Sequence, residues 1–166
     1  MAADLLPLAG LALSPDALVA AVQLLCPAAQ ARPDCDRPAV KVTVGDWPEL
    51  AGRLRAHADL LFDLLETHTA IDWPESGRIE LVYLLTSLRR GHHLTVFVDI
   101  PRDDPVAPSV CAVWPVAQWQ EREVYDLFGV RYADHPDLRR LFLDDDWQGF
   151  PLRKDYADAF MLDRPS

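Results

Sequence analysis

The sequence predicts an α+β fold: a small, mostly antiparallel β-sheet with helices packed on one side, followed by an extended, charged C-terminal arm. Three observations predict it. Residues 78–88, "RIELVYLLTSL", and 93–100, "HLTVFVDI", alternate in the manner of strands, and "RRGH" between them supplies a glycine-containing turn, so they form a β-hairpin. Two stretches, near residues 15–25 and 117–128, space their apolar residues as helices do. Charge density then about doubles: residues 121–166 hold 11 acidic and 7 basic side chains, 18 in 46, against 24 in the first 120. Apolar periodicity fades over the same span, which divides the chain into an α+β domain over residues 1–130 and an arm over 131–166 that docks on other chains.

The elements follow in order. Ser14 before Pro15 reads as an N-cap with proline at the first helical position, and the helix ends before Pro27. The proline-rich segment 27–39 is a loop, and "VKVTVG", residues 40–45, is a short β-branched strand. Asp46 and Glu49 have the spacing of a capping box, with Pro48 in the first turn. Leu50, Leu54, Ala58, Leu61 and Leu65 then recur at helical spacing, although "LLETHTAID" also reads as a strand entering the Trp73-Pro74 turn. Pro101, Pro105 and Pro108 break the pattern after the hairpin. The last helix runs from Pro115 through Phe128, and Gly129 closes it.

Composition excludes several classes of function. A formal net charge of -10 is a poor match for a phosphate backbone, so nucleic acid is not expected as a partner. No apolar run approaches the roughly 20 residues of a membrane span, and the N-terminus carries Asp4 but no basic residue ahead of its apolar stretch, unlike a secretory signal. Cys26, Cys35 and Cys111 are scattered, fitting neither a disulfide framework nor a CxxC metal site, and a reducing cytoplasm is expected. His57, His68, His92, His93 and His135 form no HxH or HExxH pair, so no metal is expected. No GxSxG elbow or glycine-rich phosphate loop is present.

What remains is "WQEREVYDLFGV", residues 119–130, and the segment after it. On a helix Arg122 and Asp126 are i,i+4 partners, while Glu121 and Glu123 point to different sides and make a poor acid/base pair. Val124, Leu127 and Phe128 form an apolar stripe that packs on the domain, leaving the charges to face a partner. Residues 135–156, "HPDLRRLFLDDDWQGFPLRKDY", interleave aromatic and proline residues with charge, the composition of a protein–protein hot spot. The candidate interface residues are Glu121, Arg122, Glu123, Asp126, His135, Arg139, Arg140, Trp147, Pro151, Arg153, Lys154, Asp155 and Tyr156. Removing residues 131–166 is expected to leave the domain folded.

Three blocks of this region resemble one family, the C subunit (the 30 kDa subunit) of bacterial NADH:quinone oxidoreductase, respiratory complex I. They are Glu121-Arg122-Glu123 with Tyr125 to Gly129, then His135 to Arg140, then Gly149 with Pro151 to Tyr156. The resemblance implies glycine before His135 in many relatives, where this chain has Asp134. The resemblance implies a non-redox assembly subunit of the hydrophilic arm, held peripherally at the cytoplasmic face of the cell membrane and bracing its neighbours near the quinone site. Those neighbours would be the D subunit, related to the large subunit of nickel–iron hydrogenases, and the B subunit, with the terminal iron–sulfur cluster. NADH, FMN, iron–sulfur clusters and quinone would belong to other subunits, with no cofactor and no catalytic residue in this chain. The alternatives are a homologous subunit of a membrane-bound hydrogenase or cyanobacterial-type complex and, from another class, a stand-alone hydrolase using Glu121, Glu123, Asp126 or His135.

Overall fold

The structure, a computed structural model of the chain, describes residues 12–158. Helix α1 is Pro15–Leu25, and the hydroxyl of Ser14 accepts from the Ala17 N–H as an N-cap should. Strands β1 (Gln30–Ala31) and β2 (Ala39–Val42) lead to helix α2 (Trp47–Ala56). Strands β3 (Leu64–Trp73), β4 (Arg78–Ser87) and β5 (His92–Pro101) follow, then β6 (Val106–Pro108), helix α3 (Ala117–Phe128) and β7 (Arg131–Ala133). Among the described residues no helix is long and apolar enough to cross a membrane.

The main sheet has the order β1-β2-β5-β4-β3. Its centre is the expected hairpin, with β4 and β5 paired antiparallel from Arg78↔Pro101 to Ser87↔His92 and Gly91 in the turn at φ 69°. Strand β3 adds antiparallel to β4, and β2 joins the other side parallel to β5, so the sheet is mixed but mostly antiparallel. A second, two-stranded sheet pairs β6 with β7 in parallel.

Alternation decides where the core lies. Ile79, Leu81, Tyr83 and Leu85 of β4, with Leu94, Val96, Val98 and Ile100 of β5, share one buried cluster with Leu18 and Val22 of α1, Trp47, Leu50 and Leu54 of α2, and Val124 and Phe128 of α3. All three helices therefore cover the same face of the sheet. The opposite face holds a small apolar cluster, Ala39, Val82 and Phe97, with charge beside it. Glu80, 1% exposed, accepts from Arg32 at 2.7 Å and Arg78 at 3.1 Å, while the Arg32 guanidinium lies 4.1 Å over the Phe97 ring.

One expectation needs correction, and one open reading is decided. The capping box does not form: Asp46 makes no side-chain cap, because its carboxylate accepts from the Thr43 hydroxyl at 2.6 Å, and Glu49 pairs with Arg53 one turn on. The strand reading of "LLETHTAID" prevails over the helix, since α2 stops at Ala56 and Leu65 lies in β3. Leu50 and Leu54 reach the core from α2 and Leu65 from β3, whereas Ala58 is exposed and Leu61 half-buried, so the helical face does not continue past α2.

A boundary after Val130 also cuts through the packing. Tyr132, in β7, is 4% exposed, and its hydroxyl bonds to His68 of β3 at 2.6 Å. Cutting the chain there removes a core ring and a sheet strand, so truncation after Val130 is expected to destabilise the domain.

Candidate interaction site: helix α3 and its strap

No glycine or proline interrupts α3, and Gly129 ends it in the left-handed region at φ 76°, donating to the Tyr125 carbonyl at 2.9 Å. One face, with Ala117, Glu121, Val124 and Phe128, is buried against the sheet. A second face holds Arg122 and Asp126, also buried, at 4% and 0% exposure. A third leaves Glu123 exposed and Trp119 55% exposed.

Arg122 and Asp126 have helical pairing distance, yet each turns to the chain that follows. Arg122 donates to the carbonyl of Arg139 at 3.1 Å and to that of Arg140 at 2.9 Å. One oxygen of Asp126 accepts from Arg140 Nη1 at 2.7 Å; the other accepts three consecutive backbone N–H groups, of Leu141, Phe142 and Leu143, at 3.0, 2.7 and 3.0 Å. This is an anion nest built around the chain's own carboxylate. Burial opposes ionisation of Asp126, but the donors outweigh it and hold the carboxyl below its ordinary range.

The strap continues past the end of α3. Leu152 N–H donates to the Leu127 carbonyl at 3.1 Å and Arg153 Nε to the Phe128 carbonyl at 2.7 Å, satisfying carbonyls that a helix C-terminus leaves unpaired. Phe150 lies between the Arg140 and Arg153 guanidinium groups, at 5.8 and 5.0 Å from its centroid. Beyond it, the Lys154 N–H reaches Asp72 of β3 at 2.8 Å. Arg102 forks onto the Asp72 carboxylate at 2.7 and 3.0 Å and also holds Asp155 at 2.7 Å. The Arg102 bond, above all, lowers the pKa of Asp72.

On the opposite side of α3, Cys111, Glu121 and His135 bring their polar atoms within 4.8 Å of one another. Asp134, just before His135, adopts φ 63°, a left-handed conformation that aspartate tolerates. The hydrogen bonds decide what the trio can do. His135 Nδ1 accepts from the Asp137 N–H at 3.0 Å, so Nε2 carries the proton and donates to the Gln118 carbonyl at 3.1 Å. Both ring nitrogens are committed and the imidazole has no lone pair to offer a metal. Burial pushes the Cys111 thiol up to about 11, so in this arrangement it stays protonated at neutral pH. Burial likewise raises Glu121, whose carboxyl accepts from the Val110 N–H at 2.8 Å and the Cys111 thiol at 3.4 Å. The trio anchors the loop before α3 and the turn after it.

His68, against Tyr83 and Tyr132, is a further buried titratable group of the region. Desolvation lowers its pKa to about 4, against a smaller opposing effect of its bond to the Val82 carbonyl. The folded state thus disfavours the imidazolium, and stability is complete above the ordinary value of 6.5 and falls as pH drops from 6.5 towards about 4. The expected loss over that window is about 2–3 kcal/mol. Urea unfolding at pH 7 and pH 4.5 checks it. His68→Gln should flatten the difference, and an unchanged pH dependence in that variant would refute the assignment.

The predicted interface residues divide accordingly. Glu121, Arg122 and Asp126 are buried in the chain's own fold, and the His135 side chain is fully covered. Arg140, Trp147, Pro151, Arg153 and Tyr156 are half-buried, whereas Glu123, Arg139, Lys154 and Asp155 are exposed. Of the α3 charges expected to face a partner, Glu121, Arg122 and Asp126 instead lie within the chain's own packing, where desolvated ions need paired donors and acceptors, and Glu123 points outward. Sequence reasoning missed Asp72, Arg102 and Tyr132, which carry no local signal. Phe142, one of the interleaved aromatic residues, is 65% exposed, and Leu152 is 49% exposed; with Trp119 they are apolar groups turned outward.

Residues 40–159 match the family model described as respiratory-chain NADH dehydrogenase, 30 Kd subunit. The chain is 43% identical over 111 residues to the C subunit of NADH-quinone oxidoreductase from Chlorobium phaeobacteroides, covering 66% of this chain and 67% of that protein. It is 40% identical over 141 residues to the C subunit from Moorella thermoacetica, covering 85% and 94% respectively, whereas the match spans 47% of the Chloroherpeton thalassium protein. Two solved structures share the fold. A chain of the archaeal membrane-bound sulfane sulfur reductase superposes with a TM-score of 0.74 at 28% identity, covering 86% of this chain and 85% of its own. The trypsin-resistant fragment of Nqo5 does so at 0.62 and 26%, covering 74% and 98%. The α+β meander, the buried acid–arginine clasp on α3 and a family match over 40–159 converge, and the chain belongs to the family of the 30 kDa subunit of respiratory-chain NADH dehydrogenase.

Proposed function

We propose that the chain is a non-redox assembly subunit of the peripheral arm of a proton-translocating NADH:quinone oxidoreductase, held at the cytoplasmic face of the membrane through its neighbours. Family membership together with the outward set Trp119, Glu123, Arg139, Phe142, Leu152 and Lys154 supports this reading. The clasps fix the strap before any partner arrives, so a neighbour meets a preorganised surface. Aromatic groups rimmed by arginine and carboxylate are the residue types that dominate binding energy. The partners proposed are the D subunit, which resembles the hydrogenase large subunit, and the cluster-bearing B subunit, with NADH, FMN, iron–sulfur clusters and quinone on chains other than this one.

A tagged chain is expected to co-purify with those subunits. Trp119→Asp with Phe142→Asp should lower their recovery about tenfold or more, because central aromatic anchors cost about 2 kcal/mol each on removal. A folded double variant that still assembles fully would sink the docking assignment. The superposition on the sulfane sulfur reductase chain favours a second reading, a subunit of a related membrane-bound complex such as a hydrogenase or cyanobacterial-type assembly. Recovery of hydrogenase-type or sulfur-reducing subunits in place of NADH-oxidising ones selects it.

A further inference from the structure

The aromatic side chains of the core form a connected series. Trp114 lies 6.1 Å from Trp47, Trp47 lies 4.5 Å from Tyr83, and Tyr83 stacks on His68 at 4.0 Å with an interplanar angle of 7°. Tyr132 closes the series edge-on to His68, at 5.7 Å between centroids. None of the five is more than 4% exposed. Pro115 and Val116, beside Trp114, are at the surface.

The terminal pair has a defined proton arrangement. His68 Nδ1 lies 3.0 Å from the Val82 carbonyl, which can only accept, so Nδ1 bears the hydrogen. Nε2 therefore presents its lone pair, and the Tyr132 hydroxyl donates to it at 2.6 Å. The bond is short and shielded from water. A phenol that loses an electron becomes a strong acid, and here the proton has one acceptor within reach. Most tyrosines lack such a partner and are oxidised against the cost of an unplaced proton.

We propose that Tyr132 is a site of reversible one-electron oxidation, with His68 Nε2 as the acceptor of its proton and the Trp114–Trp47–Tyr83 rings as the electron path to an outer-sphere one-electron oxidant. In the step, one electron leaves Tyr132 for the oxidant, the Oη–H bond breaks and an Nε2–H bond forms on His68. The products are a neutral phenoxyl radical, an imidazolium and the reduced oxidant. Return of an electron from a one-electron donor sends the proton back along the same bond. The proposal uses none of the exposed strap residues and stands apart from the docking surface.

Tyr156 is the natural competitor, because its hydroxyl donates to Asp158 at 2.9 Å, but it is only half-buried, and solvent shortens the life of a radical there. The test uses the full chain, photogenerated tris(bipyridine)ruthenium(III) as oxidant, and freeze-quenched EPR. A hydrogen-bonded tyrosyl signal is expected, unchanged in Tyr156→Phe. His68→Gln keeps an acceptor oxygen but cannot hold the proton, so the yield should fall about tenfold or more, in line with the worth of a positioned proton acceptor. Tyr132→Phe should abolish the signal. Should that variant fail to fold, 3-fluorotyrosine at position 132 decides alone, since it keeps the hydroxyl and adds a fluorine splitting to the spectrum. A radical without that splitting, a yield indifferent to His68→Gln, or a signal lost in Tyr156→Phe overturns the proposal.

Discussion

Asp126→Ala is expected to destabilise the chain by about 3–5 kcal/mol, the range for removing one partner of a buried ion pair. The variant leaves Arg140 and three backbone N–H groups without the acceptor they share. Asp126→Asn retains an acceptor oxygen and should cost less. Because the folded state lowers the pKa of Asp126, this contribution is complete above the ordinary value of 3.8 and is lost as pH falls below it. Urea unfolding at pH 7 gives the magnitude. Limited proteolysis gives the location, since the exposed Asp144 to Asp146 run should become cleavable well before the sheet does. A variant cut no faster than the parent would show that the nest does not hold the strap.

Gly129→Val should cost about 3–5 kcal/mol, combining a backbone penalty with a steric one. At φ 76° a β-branched residue is strained wherever it stands. A Cβ at this position would also lie 2.5 to 2.7 Å from three atoms of the Phe150 ring. Relief requires the ring to leave its place between Arg140 and Arg153, so the strap loosens along with the helix end. Phe150→Ala in the same chain should recover part of the loss, and the double-mutant cycle measures that coupling. Strictly additive losses would mean that the ring is not the obstacle.

How much of this was legible in the sequence depends on the range of each interaction. The β4–β5 hairpin was readable because alternation and a glycine turn are local, and the end of α3 because Gly129 follows its last apolar residue. The parallel pairing of β2 with β5 and of β6 with β7 left no such trace, since their partners are distant and each strand is short. The charges of α3 misled for a physical reason. An arginine and two carboxylates buried within one chain have the same composition and spacing as a set exposed for a partner. Only the position of Arg140, Leu141 and Phe142 relative to Asp126 distinguishes them, and that is a tertiary fact. Asp72 and Arg102 were silent in the sequence because their connection to the strap spans 82 and 53 residues.

That long reach has a consequence for biosynthesis. Lys154 closes on Asp72 only after 82 further residues have been made, about 4–16 s at about 5–20 residues per second. During that interval the β3–β5 meander is free to form on local contacts, with the carboxylates of Asp72 and Asp126 still hydrated and therefore harmless. The clasp is the last seam to close. A nascent chain stalled between residues 128 and 140 has the sheet and α3 but lacks the lid over that helix, and the bare helix face marks it as unfinished to a protease or chaperone.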